Sequence, residues 1–534
     1  MRLIGYVSDE RDVALAGVAV EITDGTDTWV TTSTASGAVR VDVPPGRHRV
    51  TLAKDGYGAK HVTADLGTGV HRFRLLSDRI YGYVWPKWTV AGGTGEFRIH
   101  SPEPYRLSLR RYGAEVGPER IIGWFDEHAP RATVQVIPDG DVTRDGVHFN
   151  EHGYVDPNHK QYVVAPERGG LYYFHVEGES GARFSFPWVV APRTPRADIA
   201  VLASTNTWNA YNNFGGRSNY VNAAGLPDAP VLVPRMELRR YRESSFSEHQ
   251  FGDDAYPPLS FDRPEPLNQI GPGEGPLDPI RGRQPCHLAS AEWRLLSWLE
   301  RTGYRHDLYA DAHLHDGTLE LDAYRVLVLN THPEYWSARM YDRVYRWVHE
   351  RGGKLAYLGG NGADCEVEFT GDGALRFRTE AVEDGPYESR MARSHRPTSA
   401  LLGVVFTSTG AMTAAPYRVV DAGHWAFAGT GLADGDVFGT ASLHERCSGG
   451  ASGHETDKTG AGTPDGAVVL ARGTNPDGGG AELVHLTTGS GGEVFAAGSI
   501  TWSTSVPVDP AVAAVTRNVL DRFLRTNETG KSGA

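Results

Sequence analysis

Cysteine is scarce in this chain: only Cys286, Cys365 and Cys447 occur among 534 residues. Their number is odd and their spacing unpatterned, so there is no disulfide framework and no Cys-x-x-Cys zinc signature, and a reducing compartment is expected. Long apolar runs are missing too. No stretch approaches the ~20 residues of a membrane span, and the opening Met1-Arg-Leu-Ile-Gly-Tyr-Val-Ser-Asp-Glu lacks the apolar core of a signal peptide. No membrane contact is expected, and the cytoplasm is the expected location. Basic charge is also short. Lys and Arg total 53 against 66 Asp and Glu, and the net charge of −13 leaves no basic stripe to displace phosphate counterions, which excludes nucleic acid as a partner.

What is present divides by pattern. The length exceeds what one core can serve, and roughly 100 to 200 residues per domain predicts about three. Residues 1–78 alternate short apolar runs (Leu3 to Val7, Val18 to Ile22, Val39 to Val43, His48 to Leu52) with turn formers such as Asp24-Gly25 and Pro44-Pro45-Gly46, which predicts a small β-sandwich. Residues 79–192 repeat the pattern in Glu96 to His100, Tyr105 to Arg110, Thr133 to Ile137 and Leu171 to Val176, as expected of an Ig-like β-sandwich. Trp85, Trp88, Trp124, Tyr172, Tyr173, Phe184 and Trp188 are expected to fill its core.

From 193 to 534 buried-type strands such as Asp198-Ile-Ala-Val-Leu-Ala203 alternate with helical periods, which predicts a mostly parallel sheet wrapped by helices. The layout is α/β, flavodoxin-like or class I glutamine-amidotransferase-like. Ser290 is expected to cap a helix to about Arg301, Ser337 a helix with Met340, Val344, Trp347 and Val348 inward, and Asp509-Pro510 a last helix to about Leu524. Two long stretches, 212–288 and 428–480, read as insertions, the first as a lid.

Candidate chemistry centres on Thr331-His332-Pro333-Glu334-Tyr335-Trp336, which lies where the strand Arg325 to Asn330 hands over to a helix. Carboxyl ends of strands border the ligand crevice in open α/β sheets. A nucleophile elbow is not found: the turn after Leu358 reads Gly359-Gly360-Asn361-Gly362, and asparagine cannot attack. A metal is the alternative. The polar and aromatic stretch Ser204 to Tyr220 follows the first strand, and phenolate and carboxylate oxygens converging with Glu334 would favour iron(III). A tyrosine ligand itself argues for a highly charged ion, because only strong positive charge ionises a phenol at neutral pH.

Several blocks carry a resemblance. Gly5-Tyr-Val, Leu15-Ala-Gly17-Val-Ala-Val20 and Pro45-Gly46 through Tyr57 resemble the Cna-B or carboxypeptidase-regulatory-like β-sandwich, which implies a non-catalytic accessory module. Asn206 through Gly216, Ser260-Phe-Asp-Arg-Pro264, His332 through Ser337, Gly359-Gly-Asn361, Gly453-His-Glu-Thr-Asp457 and Ala497 through Trp502 together resemble the large (β) subunit family of N,N-dimethylformamidase, over about 197 to 527. That resemblance implies an amidohydrolase cleaving a formamide or other small amide. It further implies a mononuclear Fe3+ on two tyrosines and a glutamate, and a small accessory subunit or a homo-oligomer.

Carried over by block, Tyr211 and Glu334 are the implied ligands. The third is open: Glu265 stands where the second tyrosine is expected, so Tyr256, Glu265 itself, or no iron at all are the alternatives. His332 is placed to orient the ligand or move a proton, Glu455 to act as base, and Asp457 to serve structure. Asn206, Trp208, Phe214 and Asn361 are the candidate substrate contacts. The competing readings are a catalytically altered homologue acting as a binding or assembly subunit, and other C–N bond chemistry in secondary metabolism.

Overall fold

Alternating apolar residues separated by turn formers produce, in the computed structural model, two small sheets at the N-terminal end. One runs Ala38–Val41, Arg2–Asp9, His71–Leu75 and the other Thr28–Thr32, Ala19–Thr23, Arg47–Ala53, Lys60–Asp65. Ile4 and Val7 from the first and Val20, Ile22, Val50 and Leu52 from the second fill a shared core. The structure describes all residues except 68, 127–160, 221–227, 233–251, 271–285, 381–386 and 526–534; the expected strand at Thr133 to Ile137 lies outside the described residues.

A second strand-rich unit follows, with a sheet ordered Tyr162–Val164, Thr94–His100, Tyr81–Trp85 facing a five-stranded one that includes Tyr105–Tyr112, Gly170–Gly178 and Arg183–Ala191. Trp188, Tyr172 and Phe184 are buried in its core as expected. Trp124 is not: it sits on the strand Arg120–Phe125 at 70% exposure. Tyr173 points the other way along its strand, as alternation requires, and joins the core of the C-terminal unit.

That C-terminal unit is built on nine strands. Five of them are β1 (Ile199–Ala203), β2 (His306–Ala310), β3 (Val326–Thr331), β4 (Lys354–Gly359) and β5 (Glu493–Ala496), all parallel and in the spatial order β2-β1-β3-β4-β5. Antiparallel strands Glu482–Thr487, Ala467–Gly473, Tyr417–Val419 and Val437–Phe438 extend the sheet beyond β5. The stretch 428–480, expected as an insertion, therefore contributes strands to the main sheet.

Both faces of the sheet are covered. Ile199, Val201, Val326, Val328, Ala356 and Leu358 belong to one core, while Ala200, Leu202, Leu327, Leu329, Leu355 and Tyr357 belong to another. Helices α1 (Thr205–Tyr211), α2 (Ala289–Arg301), α3 (Ala338–His349) and α4 (Pro510–Leu524) divide between them, with α2 and α4 on the first face and α3 on the second. Ser337 caps α3 by accepting from the Met340 amide, and Asp509 caps α4 by accepting from Ala511 and Val512. Ser290 does not cap α2: the helix begins at Ala289, with Leu288 at the cap position and no side-chain bond. Trp336, fully buried against α3, leaves its indole N–H without a partner among the described residues. Trp336→Ala is therefore expected to lower stability by about 3–5 kcal/mol and Trp336→Phe by much less, read from denaturant unfolding midpoints.

The units are held together by charge. Arg74, buried, reaches the Gly216 carbonyl at 2.9 Å and Asp12 at 3.6 Å. Glu300 on α2 takes both Arg111, from the second strand-rich unit, and the Ala114 amide. Burial raises the Glu300 pKa, but those donors outweigh it and hold the carboxyl at about 2, below its ordinary 4.5. A depressed folded-state pKa contributes stability that is complete above about pH 4.5 and lost as the pH falls towards 2. Glu300→Gln is expected to lower urea stability by on the order of 1 kcal/mol at pH 6, with solvent screening limiting the effect, and the gap from the unaltered protein should narrow at pH 3.

Candidate active site

Backbone strain marks the carboxyl end of the sheet. Among the described residues seven non-glycine positions have positive φ, and four of them, Thr331 (52°), Asn361 (52°), Ala363 (48°) and His454 (65°), gather at the ends of β3 and β4 and on the segment facing them. Such conformations persist where their surroundings over-determine them. Gly360 allows the close approach: a Cβ there would stand 2.6 Å from the Glu455 carbonyl oxygen and 2.7 Å from the Ile500 nitrogen.

The approach brings three ionisable side chains together. His332 Nε2 lies 3.2 Å from Glu334 Oε2 and 3.0 Å from Glu455 Oε2, with the His332 and Glu334 side chains essentially sealed from solvent and that of Glu455 16% exposed. Burial alone would lower the His332 pKa, but Glu455 and Glu334 outweigh it and raise it to about 10, so the imidazole is cationic near neutrality. The same contact acts on Glu455, whose pKa is lowered by His332 and by Asn361 against the effect of burial. Asn361 Nδ2 donates to Glu455 Oε2 at 2.8 Å, and its Oδ1 has no partner among the described residues. Asp457 accepts from the Asn361 amide at 2.8 Å and from the Tyr357 hydroxyl at 2.6 Å, so it holds the turn.

Glu334 has further neighbours. Its Oε1 accepts from Arg390 at 2.8 Å, and its Oε2 accepts from the Tyr220 hydroxyl at 3.3 Å. Tyr220 in turn lies 2.7 Å from the Tyr335 hydroxyl and packs its ring 4.2 Å from that of Tyr211. Burial first, then Glu334 and Tyr211, push the Tyr220 phenol well above its ordinary value. His287 packs on Tyr211 at 4.4 Å and on His332 at 5.1 Å.

The structure thus brings together His332, Glu334, Glu455, Asn361 and Tyr211 among the residues expected from sequence. Other expected residues have contacts of their own. Glu265 is committed to Lys87 of the second strand-rich unit, 2.6 Å away, and to Asn268. Tyr256 is buried after the short turn Asp253–Ala255, which Arg393 pins through Asp253. Trp208 is core, its indole N–H donating to buried Glu292 at 2.8 Å. Asn206 holds the Tyr335 carbonyl at 2.9 Å, and Phe214 packs on Tyr81 in the second strand-rich core. These three sit on α1 and the turn after it, whose side chains are drawn into the cores flanking the crevice. Tyr220, His287 and Arg390 were missed; Tyr220 ends the polar stretch that begins at Ser204, but only the fold sets it against Glu334.

A second group, Cys286, His444 and His454, also brings possible ligand atoms within 4.8 Å of one another. Its geometry is that of hydrogen bonding. His444 Nδ1 accepts from the Cys447 amide at 2.9 Å, so a neutral His444 carries its proton on Nε2, 3.0 Å from His454 Nδ1. Two nitrogens on a tetrahedral zinc would stand about 3.3 Å apart and carry no proton there. The thiols are unreactive in kind: burial pushes both Cys286 and Cys365 up to about 12.

Known proteins share sequence with this chain. The N,N-dimethylformamidase beta subunit from Alcaligenes sp is 25% identical over 473 residues, covering 69% of this chain and 58% of that protein. The beta subunit from Paracoccus aminophilus is 24% identical over 412 residues, covering 63% and 50%. The chain spans about half the length of these curated relatives. A solved DUF3823 family protein from Bacteroides ovatus aligns at 10% identity over 33% of this chain and 92% of its own, but its TM-score of 0.12 carries no argument about fold. The model of the family described as N,N-dimethylformamidase beta subunit-like, C-terminal, matches residues 157–512, more than half of the chain, and the protein belongs to that family.

Proposed function

We propose that this chain is an iron-dependent amidohydrolase that cleaves the C–N bond of a formamide or another small amide with activated water. The observation that carries the proposal is the meeting of Tyr211, Tyr220 and Glu334 beside a histidine held between two carboxylates. The donor set is hard and oxygen-rich, which suits a highly charged cation better than a soft metal. Buried phenols whose pKa is raised stay neutral unless such a charge stands beside them. Of the candidates for the second phenol implied by the family resemblance, we take Tyr220, whose hydroxyl donates to Glu334, ahead of Tyr256 and Glu265. The order β2-β1-β3-β4-β5 is that of flavodoxin-like sheets, which supports the corresponding reading of the C-terminal unit.

Tyr211, Tyr220 and Glu334 would hold the iron. Bound there, it supplies a Lewis acid that polarises the amide oxygen and acidifies water. The remaining work falls to the chain. Glu455 Oε2, steadied by Asn361, is placed to accept a proton from the attacking water, and cationic His332 to hand one to the leaving amine. Asn361 Oδ1 offers an acceptor for an amide N–H. The near-complete burial of these side chains excludes bulk water and strengthens each contact.

A binding or assembly role is the second reading, favoured by Glu265 paired with Lys87 where a ligand tyrosine was expected. A panel of formamides and small amides, assayed by released amine on iron-loaded protein, separates the two. Turnover of a formamide supports the hydrolase. No amine from any substrate, with iron bound, supports the second.

A further inference from the structure

Arg390 is the buried cation nearest the proposed ligand carboxylate, and it is held from two sides. Its Nε donates to Asp364 at 2.8 Å, and one terminal nitrogen lies 2.6 Å from the same carboxylate and 2.8 Å from Glu334 Oε1. Asp364 also accepts, through its backbone carbonyl, the Met391 amide at 2.6 Å, which locks the start of the helix Arg390–Ser394 against the turn after β4. All three side chains are nearly sealed from solvent.

A carboxylate has two oxygens, and here they have different neighbours. Oε1 faces Arg390, whereas Oε2 faces His332 at 3.2 Å and Tyr220 at 3.3 Å. A planar guanidinium anchored by a second carboxylate is a stiff clamp, since its donors diverge at fixed angles and it cannot lose its charge. Rotation of Glu334 to offer both oxygens to one ion would break the contact between Oε1 and Arg390.

We propose that Arg390 is a positioning residue that reserves Oε1 of Glu334, so that Glu334 ligates through Oε2 only, on the side where Tyr220 and His332 stand. This rests on the amidohydrolase reading for the identity of the ion. Single-oxygen ligation keeps one coordination position open for substrate or water, which a bidentate carboxylate would occupy. Partners of a ligating carboxylate are worth about 10- to 100-fold in metal affinity or activity, and the clamp belongs to that class.

The test compares the full chain with Arg390→Lys and Asp364→Asn after loading with iron(III). Lysine keeps the charge but cannot span both carboxylates, and asparagine loosens the anchor while leaving Glu334 intact. For Arg390→Lys we expect iron at the same stoichiometry, a shifted tyrosinate-to-iron absorption band with altered electron paramagnetic resonance, and kcat reduced about 10- to 100-fold with KM little changed. Asp364→Asn should move the same signals less. Unchanged band, resonance and kcat in Arg390→Lys would overturn the proposal. If the unaltered protein binds no iron and turns over no amide, the functional reading fails instead. The clamp is then read from crystal structures of metal-free protein: a Glu334 carboxylate that turns in Arg390→Lys supports it, and one that keeps its orientation overturns it.

Discussion

Glu334→Ala is expected to abolish iron binding and to lower kcat/KM by about 1,000-fold or more, the largest effect of any single substitution in this chain. The reason is that Glu334 serves three partners at once. Its Oε2 meets His332 and Tyr220, and its Oε1 meets Arg390. Removing it takes away the proposed metal ligand, the acceptor that orients a phenol and a carboxylate partner of a buried guanidinium. Stability should fall as well, by about 3–5 kcal/mol, because the buried charge of Arg390 loses the Glu334 carboxylate. Glu334→Gln separates the two consequences. The amide oxygen can still accept from Arg390, so the fold should survive, but a neutral amide is a poor ligand for a trivalent ion and iron should still be lost. Metal analysis of both variants, with unfolding midpoints alongside, checks the pair of outcomes. Retained turnover in Glu334→Ala contradicts the site.

His332→Gln should behave in the opposite way: iron stays and the rate falls, by about 100- to 10,000-fold in kcat. His332 lies between two carboxylates and is the group in this cluster whose cationic form they stabilise, against the penalty of burial. Glutamine can keep a hydrogen bond to Glu455 but cannot deliver a proton. Without the charge of His332, Glu455 loses one of the contacts that lower its pKa, so its carboxyl becomes less acidic. Steady-state kinetics with iron quantified on the same preparation distinguish the roles. Loss of iron in His332→Gln would make His332 a ligand instead.

Parts of this site are legible in the sequence because they depend on local pattern. His332 and Glu334 are two apart on an extended segment at the end of a β-branched strand, so they fall on one face at the edge of the sheet. Gly359-Gly360 reads as a tight turn, and the structure adds the reason that Gly360 must stay bare: the Glu455 backbone passes against it. Helix α3 was readable from its cap and its apolar spacing, whereas the start of α2 was not, since Ser290 looks like a cap only when the burial of Leu288 and Ala289 is unknown.

What the sequence withheld depends on long-range packing. Phe214 and Trp208 are chemically suited to a pocket wall, yet each has a better place in a core supplied by another part of the chain, Tyr81 for one and Glu292 with the α2 side for the other. Glu265 looked like an altered ligand, and its partner Lys87 belongs to the second strand-rich unit, far from it in sequence. Burial pulls the Lys87 pKa down to about 8 even with Glu265 beside it. Tyr211 ends α1 and Tyr220 lies nine positions further on, and no periodic pattern predicts that their rings meet. Both N-terminal units thus support the segments around the site: Arg74 of the first holds Gly216, and Tyr81 and Lys87 of the second hold Phe214 and Glu265.

The central claim is that Tyr211, Tyr220 and Glu334 together hold iron(III). Visible absorption and metal quantification of iron-reconstituted full-length protein, set beside Tyr220→Phe, test it most directly. The account predicts about one iron per chain with a tyrosinate-to-iron charge-transfer band, and a weaker, shifted band with reduced iron retention in Tyr220→Phe. A colourless protein that takes up no iron, or a band unaffected by Tyr220→Phe, would contradict it.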